Sequence, residues 1–189
     1  MTAALRPGRA HPAGRALVAV LIAAGGLLAG CAGAAPAGGT SEPLPTPRST
    51  VSPAVSVTLV QVEGALRARG LVLLPTLTSI RPAEPPSFAA IARWPFQAML
   101  PGDPAGGYFV IYEFPDVAFA AEGGRNLAAY ITSGPGRVQF PPDVRFVLQQ
   151  VGSTLVFYPW SPASSPDPKT PDLAAALASV GSEVPIPPG

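Results

Sequence analysis

Apolar residues recur at helical spacing in three stretches of the chain. In the first stretch Leu59, Val62 and Leu66 lie three and four residues apart, which places them on one helical face. The other two stretches follow residues that commonly cap helices, Asp116 and Thr170. We expect four residues on the buried face of the second helix: Phe119, Leu127, Tyr130 and Ile131.

Runs rich in β-branched and aromatic residues predict the strands, at 71–74, 96–100, 108–114, 144–151 and 154–160. Residues 76–95 contain four prolines and are predicted to be mainly loop, and 182–189 a loose tail. Most connections between strands are too short for parallel crossovers, so the sheet should be mainly antiparallel. The pattern predicts an α+β fold of two layers, with four to five strands and about three helices.

The last two predicted strands form a hairpin around the two-residue loop Gly152-Ser153. Counting outward from this loop pairs Arg145 with Trp160, and the residues on the two faces then alternate. One face is nearly all apolar and should pack against the helices, through Phe146, Leu148, Leu155 and Phe157.

The opposite face of the hairpin is the candidate binding face, and its members are Arg145, Gln149, Tyr158 and Trp160. We expect it to look away from the core, with the Arg145 guanidinium over the Trp160 ring in a cation–π contact. The alternatives are that this contact only decorates the surface, or that the proline-rich loop or the chain before the domain covers the face.

The amino-terminal region has the charge pattern of a targeting segment. Arg6, Arg9 and Arg15 precede an uncharged run of 15 residues, 16–30. This run is shorter than the roughly 20 residues that a membrane-spanning helix needs. Basic residues followed by a short apolar core are typical of a secretory signal peptide.

The run ends in Leu28-Ala29-Gly30-Cys31, which resembles the lipobox of bacterial lipoprotein precursors. The resemblance covers residues 1–31 and implies cleavage between Gly30 and Cys31, with a diacylglyceryl group carrying fatty acyl chains such as palmitate on the thiol. Acylated Cys31 would then anchor the chain in the lipid bilayer of a cell membrane or outer membrane, on the extracytoplasmic side. An ordinary signal peptide with a chance cysteine, or a buried apolar helix, remains open.

Composition divides the chain into three parts. Residues 1–30 are the predicted signal peptide, 31–55 the lipidated cysteine and a tether, and 56–189 a single α+β domain. Residues 32–55 contain five Pro and three Gly without hydrophobic periodicity, which is typical of disorder. The formal net charge of the whole chain is only +1, which argues against nucleic acid as a partner.

Candidate chemistry is sparse because the one histidine, His11, lies in the signal peptide and the one cysteine, Cys31, would carry lipid. The mature chain therefore lacks the residues for a Ser-His-Asp triad, a Cys-His pair or a His- or Cys-ligated metal site, and we expect no cofactor. Scattered carboxylates remain as candidates for a hydrolase: Asp103, Glu113, Asp116, Glu122 and Asp143.

The sequence thus predicts a membrane-anchored extracytoplasmic lipoprotein that is not an enzyme. Its domain would bind an envelope protein or a small ligand. The alternatives are a carboxylate-based envelope hydrolase and a purely structural envelope module.

Overall fold

The computed structural model describes residues 51–74 and 80–188, which belong to one compact unit. The predicted signal peptide, Cys31 and residues 32–50 of the tether lie outside the described residues and stay predictions. Within the described ranges, no helix is both long enough and apolar enough to cross a bilayer.

Four helices and six strands make up the described fold. The helices are α1 (Pro53–Ala68), α2 (Val117–Thr132), the single-turn α3 (Gly134–Arg137) and α4 (Thr170–Ala178). The strands are β1 (Leu73–Leu74), β2 (Ala92–Ala98), β3 (Tyr108–Glu113), β4 (Arg145–Val151), β5 (Thr154–Trp160) and β6 (Ser182–Glu183). A 3₁₀ turn, Pro86–Phe88, precedes β2.

The strands form a single sheet in the order β1-β2-β3-β5-β4-β6, and every neighbouring pair is antiparallel. The predicted α+β class and mainly antiparallel sheet are confirmed. The sheet has six strands rather than four to five, because the two-residue strand β6 adds an edge that was not predicted, while β1 lies within the predicted strand 71–74. The connection from β3 to β4 runs through α2 and passes over the position that β5 fills.

Helices cover both faces of the sheet, so the predicted two-layer arrangement is corrected to three layers. On one face α1 and α4 pack through residues such as Leu66 and Leu177 against Val156. On the other face α2 packs through Leu127 against Phe157. The sheet is apolar on both faces, because the consecutive residues Val110 and Ile111 of β3 are both buried, and the amphipathic helices bury their apolar stripes against either face.

The register of the β4–β5 hairpin is confirmed, from Val151 opposite Thr154 to Arg145 opposite Trp160. The apolar face packs under α2, as predicted. The prediction that the opposite face looks away from the core is wrong, because α1 and α4 cover most of it. There the Thr154 hydroxyl lies 2.7 Å from the Thr58 hydroxyl of α1, so the buried polar groups satisfy each other.

The folded domain begins before the predicted boundary at Ser56. Helix α1 starts at Pro53 because the Ser52 hydroxyl accepts a hydrogen bond from the Val55 N–H at 3.2 Å, which caps the helix. Val55 is fully buried in the core, so residues 51–55 belong to the domain rather than to the tether.

Two segments predicted to be irregular are strands. β2 begins at Ala92 inside the predicted loop, and Pro95 is tolerated there because β1 pairs only with Gln97 and Ala98. On the side of β2 where β1 lies, no described strand is placed to accept a hydrogen bond from the Pro95 nitrogen. In the predicted tail, β6 pairs with β4 and Val184 is buried beneath α2.

Two side chains on the helices also depart from expectation. Phe119 is 56 % exposed, because the buried stripe of α2 runs through Ala120, Leu127 and Ile131 and leaves Phe119 at its margin. Thr170 is a buried residue of the first turn of α4 rather than its N-cap, a position that Lys169 occupies.

Candidate functional site

A cleft of about 370 Å³ opens at the end of the sheet where β3 begins and β5 finishes. Four separate segments meet there: the loop before β3, the segment before β4, the end of β5 and the loop that follows it. Six side chains define its chemistry, namely Asp103, Tyr108, Phe140, Tyr158, Trp160 and Ser161. The cleft therefore combines aromatic walls with a carboxylate and a hydroxyl, a mixture that is common in small-molecule sites.

The first wall is the loop 101–107, which two side chains hold in place. Gln97 of β2 donates through its amide nitrogen to the carbonyls of Pro104 and Gly106, at 2.9 and 2.8 Å. The carboxylate of Asp167, a residue only 3 % exposed, accepts a hydrogen bond from the Gly102 N–H. These bonds fix the loop to both β2 and the opposite wall.

The second wall is the loop 161–169, which is tied down at both ends. At one end Asp167 accepts a second hydrogen bond, from the Lys169 N–H at 2.7 Å. At the other end Asp143 accepts hydrogen bonds from the Ser161 hydroxyl at 2.7 Å and from the Ala163 N–H at 2.9 Å. Hydrogen bonds within the chain thus hold both walls of the cleft, and walls fixed in this way lower the entropic cost of binding a ligand.

The hydrogen bonds that hold the loop also favour the ionised form of Asp143. The Ala163 N–H and the Ser161 hydroxyl, which both donate to the carboxylate, hold the pKa of Asp143 below its usual range. A carboxylate with a lowered pKa is a poor general acid, so Asp143 is suited to a positioning role.

Asp103 differs from these two carboxylates. Among residues 51–74 and 80–188, no group donates a hydrogen bond to its side chain and no cation pairs with it. Its oxygen lies so close to Gly106 that a Cβ at position 106 would approach it to 2.2 Å, so a larger residue there would require the Asp103 side chain to move. Burial and the negative charge of Asp103 raise the pKa of the Tyr158 hydroxyl above its usual value. Asp103 therefore places a negative charge beside the aromatic wall.

The candidate binding face is divided by the structure into accessible and buried parts. Arg145 is exposed, and its guanidinium carbon lies 5.3 Å from the centroid of the Trp160 ring, in the expected cation–π geometry. Trp160 is half-buried and lines the cleft together with Tyr158, which is only 3 % exposed. Gln149 is 4 % exposed under α4 and lies outside the cleft.

The other candidate carboxylates lie apart from the cleft. Asp116 caps α2 by accepting from the Phe119 N–H at 2.9 Å, and Glu113 accepts from the Trp94 indole at 3.3 Å. Glu122 lines a separate, mostly apolar cavity of about 300 Å³ between α2 and the 3₁₀ turn.

Sequence reasoning did not identify Ser161 or Asp167 as parts of a site. Their contribution depends on contacts between segments that are 18 residues apart for Ser161 and Asp143 and 65 residues apart for Asp167 and Gly102, and no spacing rule encodes such contacts. The one signal in the sequence is Asp103, a candidate carboxylate that lies inside the glycine-rich loop 101–107.

The described residues contain no group of three or more histidine, cysteine or acidic side chains placed to hold a metal ion. Comparison of the chain with protein-family models, with curated proteins and with solved structures finds no significant match.

Proposed function

We propose that this chain is a lipoprotein whose folded domain binds a small ligand outside the cytoplasm, in the cleft at the end of the sheet. Acylated Cys31 would anchor it in a cell membrane or outer membrane. The observation that carries the binding function is the aromatic cleft, whose two loop walls are fixed by side-chain to backbone hydrogen bonds.

The arrangement favours binding over catalysis. Two of the three aspartates around the cleft, Asp143 and Asp167, use their oxygens to hold the backbone of the loops. Glycoside hydrolysis by carboxylates needs one group that donates a proton and a second group that attacks or activates water. Asp143, with its lowered pKa, is unsuited to the first task.

A ligand screen by nuclear magnetic resonance tests the binding function. The panel consists of neutral sugars, amino acids, small amines and small organic acids, added to the ¹⁵N-labelled full-length chain in non-ionic detergent. We expect at least one compound to shift the indole N–H signal of Trp160, and Trp160→Ala to weaken its binding about tenfold or more. The indole signal is assigned with Trp94→Phe.

The hydroxyl of Tyr158 is tested with Tyr158→Phe, and the residue is not replaced by alanine. Tyr158 belongs to the core, so truncation to alanine costs roughly 3–5 kcal/mol and threatens the fold. Phenylalanine keeps the ring and removes only the hydroxyl. The proposal fails if no compound shifts signals of the cleft, if Trp160→Ala binds as the wild type does, or if the protein converts a bound compound.

A further inference from the structure

The charges around the cleft are unbalanced. Asp143 and Asp167 are compensated by two donors each, whereas the Asp103 side chain has neither a hydrogen bond nor an ion pair among the described residues. None of the residues that line the cleft is a lysine, arginine or histidine. The cleft thus has a negative charge and no cation of its own.

The aromatic rings of the cleft also favour a positively charged ligand. Tyr108, Tyr158 and Trp160 line the cleft, and the faces of such rings are electron-rich and attract cations. One of them already binds a cation within the chain, because the Arg145 guanidinium sits over Trp160 at 5.3 Å. Arg145 itself does not line the cleft, so it leaves the charge of Asp103 uncompensated.

The volume of the cleft limits the size of the ligand that it can hold. Small-molecule sites have volumes of about 300–1,000 Å³, and this cleft of about 370 Å³ lies near the lower end. It suits a compact group that presents charge and methyl or methylene surface together, as an alkylammonium does. Anionic ligands are disfavoured because Asp103 would repel them.

We propose that the cleft binds a small organic cation, an amine or a quaternary ammonium compound, with Asp103 as the counter-ion and Tyr108, Tyr158 and Trp160 as the aromatic wall. This inference deepens the proposed binding function and rests on it.

Choline chloride and its neutral isostere 3,3-dimethyl-1-butanol are the test compounds, because they match in shape and differ in charge. We expect choline to shift the Trp160 indole signal of the full-length chain and to bind about tenfold or more tightly than the isostere. Binding of choline should weaken as salt rises from 20 to roughly 200 mM, since salt screens exposed charges.

Asp103→Asn keeps the shape of the side chain and removes its charge. We expect this variant to bind choline about tenfold more weakly and to lose the dependence on salt, while its affinity for the isostere is unchanged. Glu122→Gln is the matched control, since it removes one negative charge at a residue that does not line the cleft, and it should bind choline as the wild type does. Thermal unfolding of both variants verifies that they are folded.

The outcomes separate this inference from the proposed function. Equal affinity for choline and the isostere overturns the cationic ligand and leaves a cleft that binds neutral compounds. An unchanged affinity for choline in Asp103→Asn overturns Asp103 as the counter-ion and, with it, the inference. If neither compound shifts the Trp160 signal, the inference is wrong, and the proposed function then depends on the other members of the panel.

Discussion

At Glu84 a carboxylate whose side chain is only 3 % exposed meets three donors. One oxygen accepts from Arg81 and from Arg93, both at 2.7 Å, and the other accepts from the Tyr112 hydroxyl at 3.1 Å. Tyr112 is fully buried, and burial together with the charge of Glu84 raises the pKa of its hydroxyl. This group ties the segment before β2 to the end of β3.

We expect Glu84→Gln to lower the free energy of unfolding by about 2–3 kcal/mol, because the variant leaves the half-buried Arg93 without its counter-charge. Tyr112→Phe removes one neutral donor to that carboxylate and should cost about 1–2 kcal/mol. Urea unfolding followed by circular dichroism measures both.

The control at the residue scale is Lys169→Gln. It breaks the Lys169–Asp172 ion pair, whose side chains are almost half exposed, so its effect should stay below about 1 kcal/mol. An effect of Glu84→Gln that is no larger than that of Lys169→Gln would show that the Glu84 group does not stabilise the fold.

At the scale of elements, helix α2 owes its closeness to the sheet to Gly123 and Gly124. A Cβ at position 123 would lie 2.5 Å from two ring atoms of Phe114, at the end of β3. Gly64 in α1 is the natural comparison, because a Cβ there meets no atom within 4 Å. Gly123 and Gly64 both lie inside helices, but only Gly123 packs closely against another part of the fold.

We expect Gly64→Ala to stabilise the protein by about 0.5–1 kcal/mol, the advantage of alanine over glycine in a helix. Gly123→Ala gains the same propensity, but the clash with Phe114 should outweigh it and destabilise the protein by about 1–3 kcal/mol net. Both values come from urea unfolding under identical conditions. A stabilising Gly123→Ala would mean that α2 does not pack this closely on Phe114.

The elements that the sequence could predict are those with a strong local signal. The hairpin of β4 and β5 follows from alternation and from Gly152-Ser153, and its register is determined locally. Which of its faces is covered depends on where α1 and α4 pack, and that is a property of the whole fold. The first half of β2, residues 92–95, and all of β6 escaped prediction because Pro95 and the prolines after Val184 are signals that usually end strands.

Only part of the cleft can be predicted from local sequence patterns. The aromatic residues at the carboxyl end of β5, Tyr158 and Trp160, are predictable because the register of the hairpin places them on one face. Asp103 and the loops around it belong to the site only through Asp167 and Gln97, which join distant segments. Residues of this kind can be assigned to the site only when the fold shows which strand ends and loops lie next to each other.

For the whole molecule, the proposed anchor and the proposed binding domain would act together, because the anchor would hold the cleft outside the cytoplasm and near a bilayer. A single acyl chain holds a protein on a membrane only marginally, whereas two chains anchor it stably. A diacylglyceryl group on Cys31 would supply two. Attachment of this kind is hydrophobic, so it should resist salt, in contrast to binding by surface charges.

We therefore expect the protein to stay in the membrane fraction after a wash at high salt and to dissolve in detergent. Mass spectrometry should find an N-terminal peptide that begins at an acylated Cys31. Cys31→Ser should either release the protein or leave the precursor uncut, because serine offers no thiol for the lipid. Ser41→Ala, which lies outside the Leu28–Cys31 motif, should behave as the wild type does. An unlipidated N-terminus at another residue, or a Cys31→Ser variant that is processed and bound to the membrane like the wild type, would show that the cysteine is not the anchor.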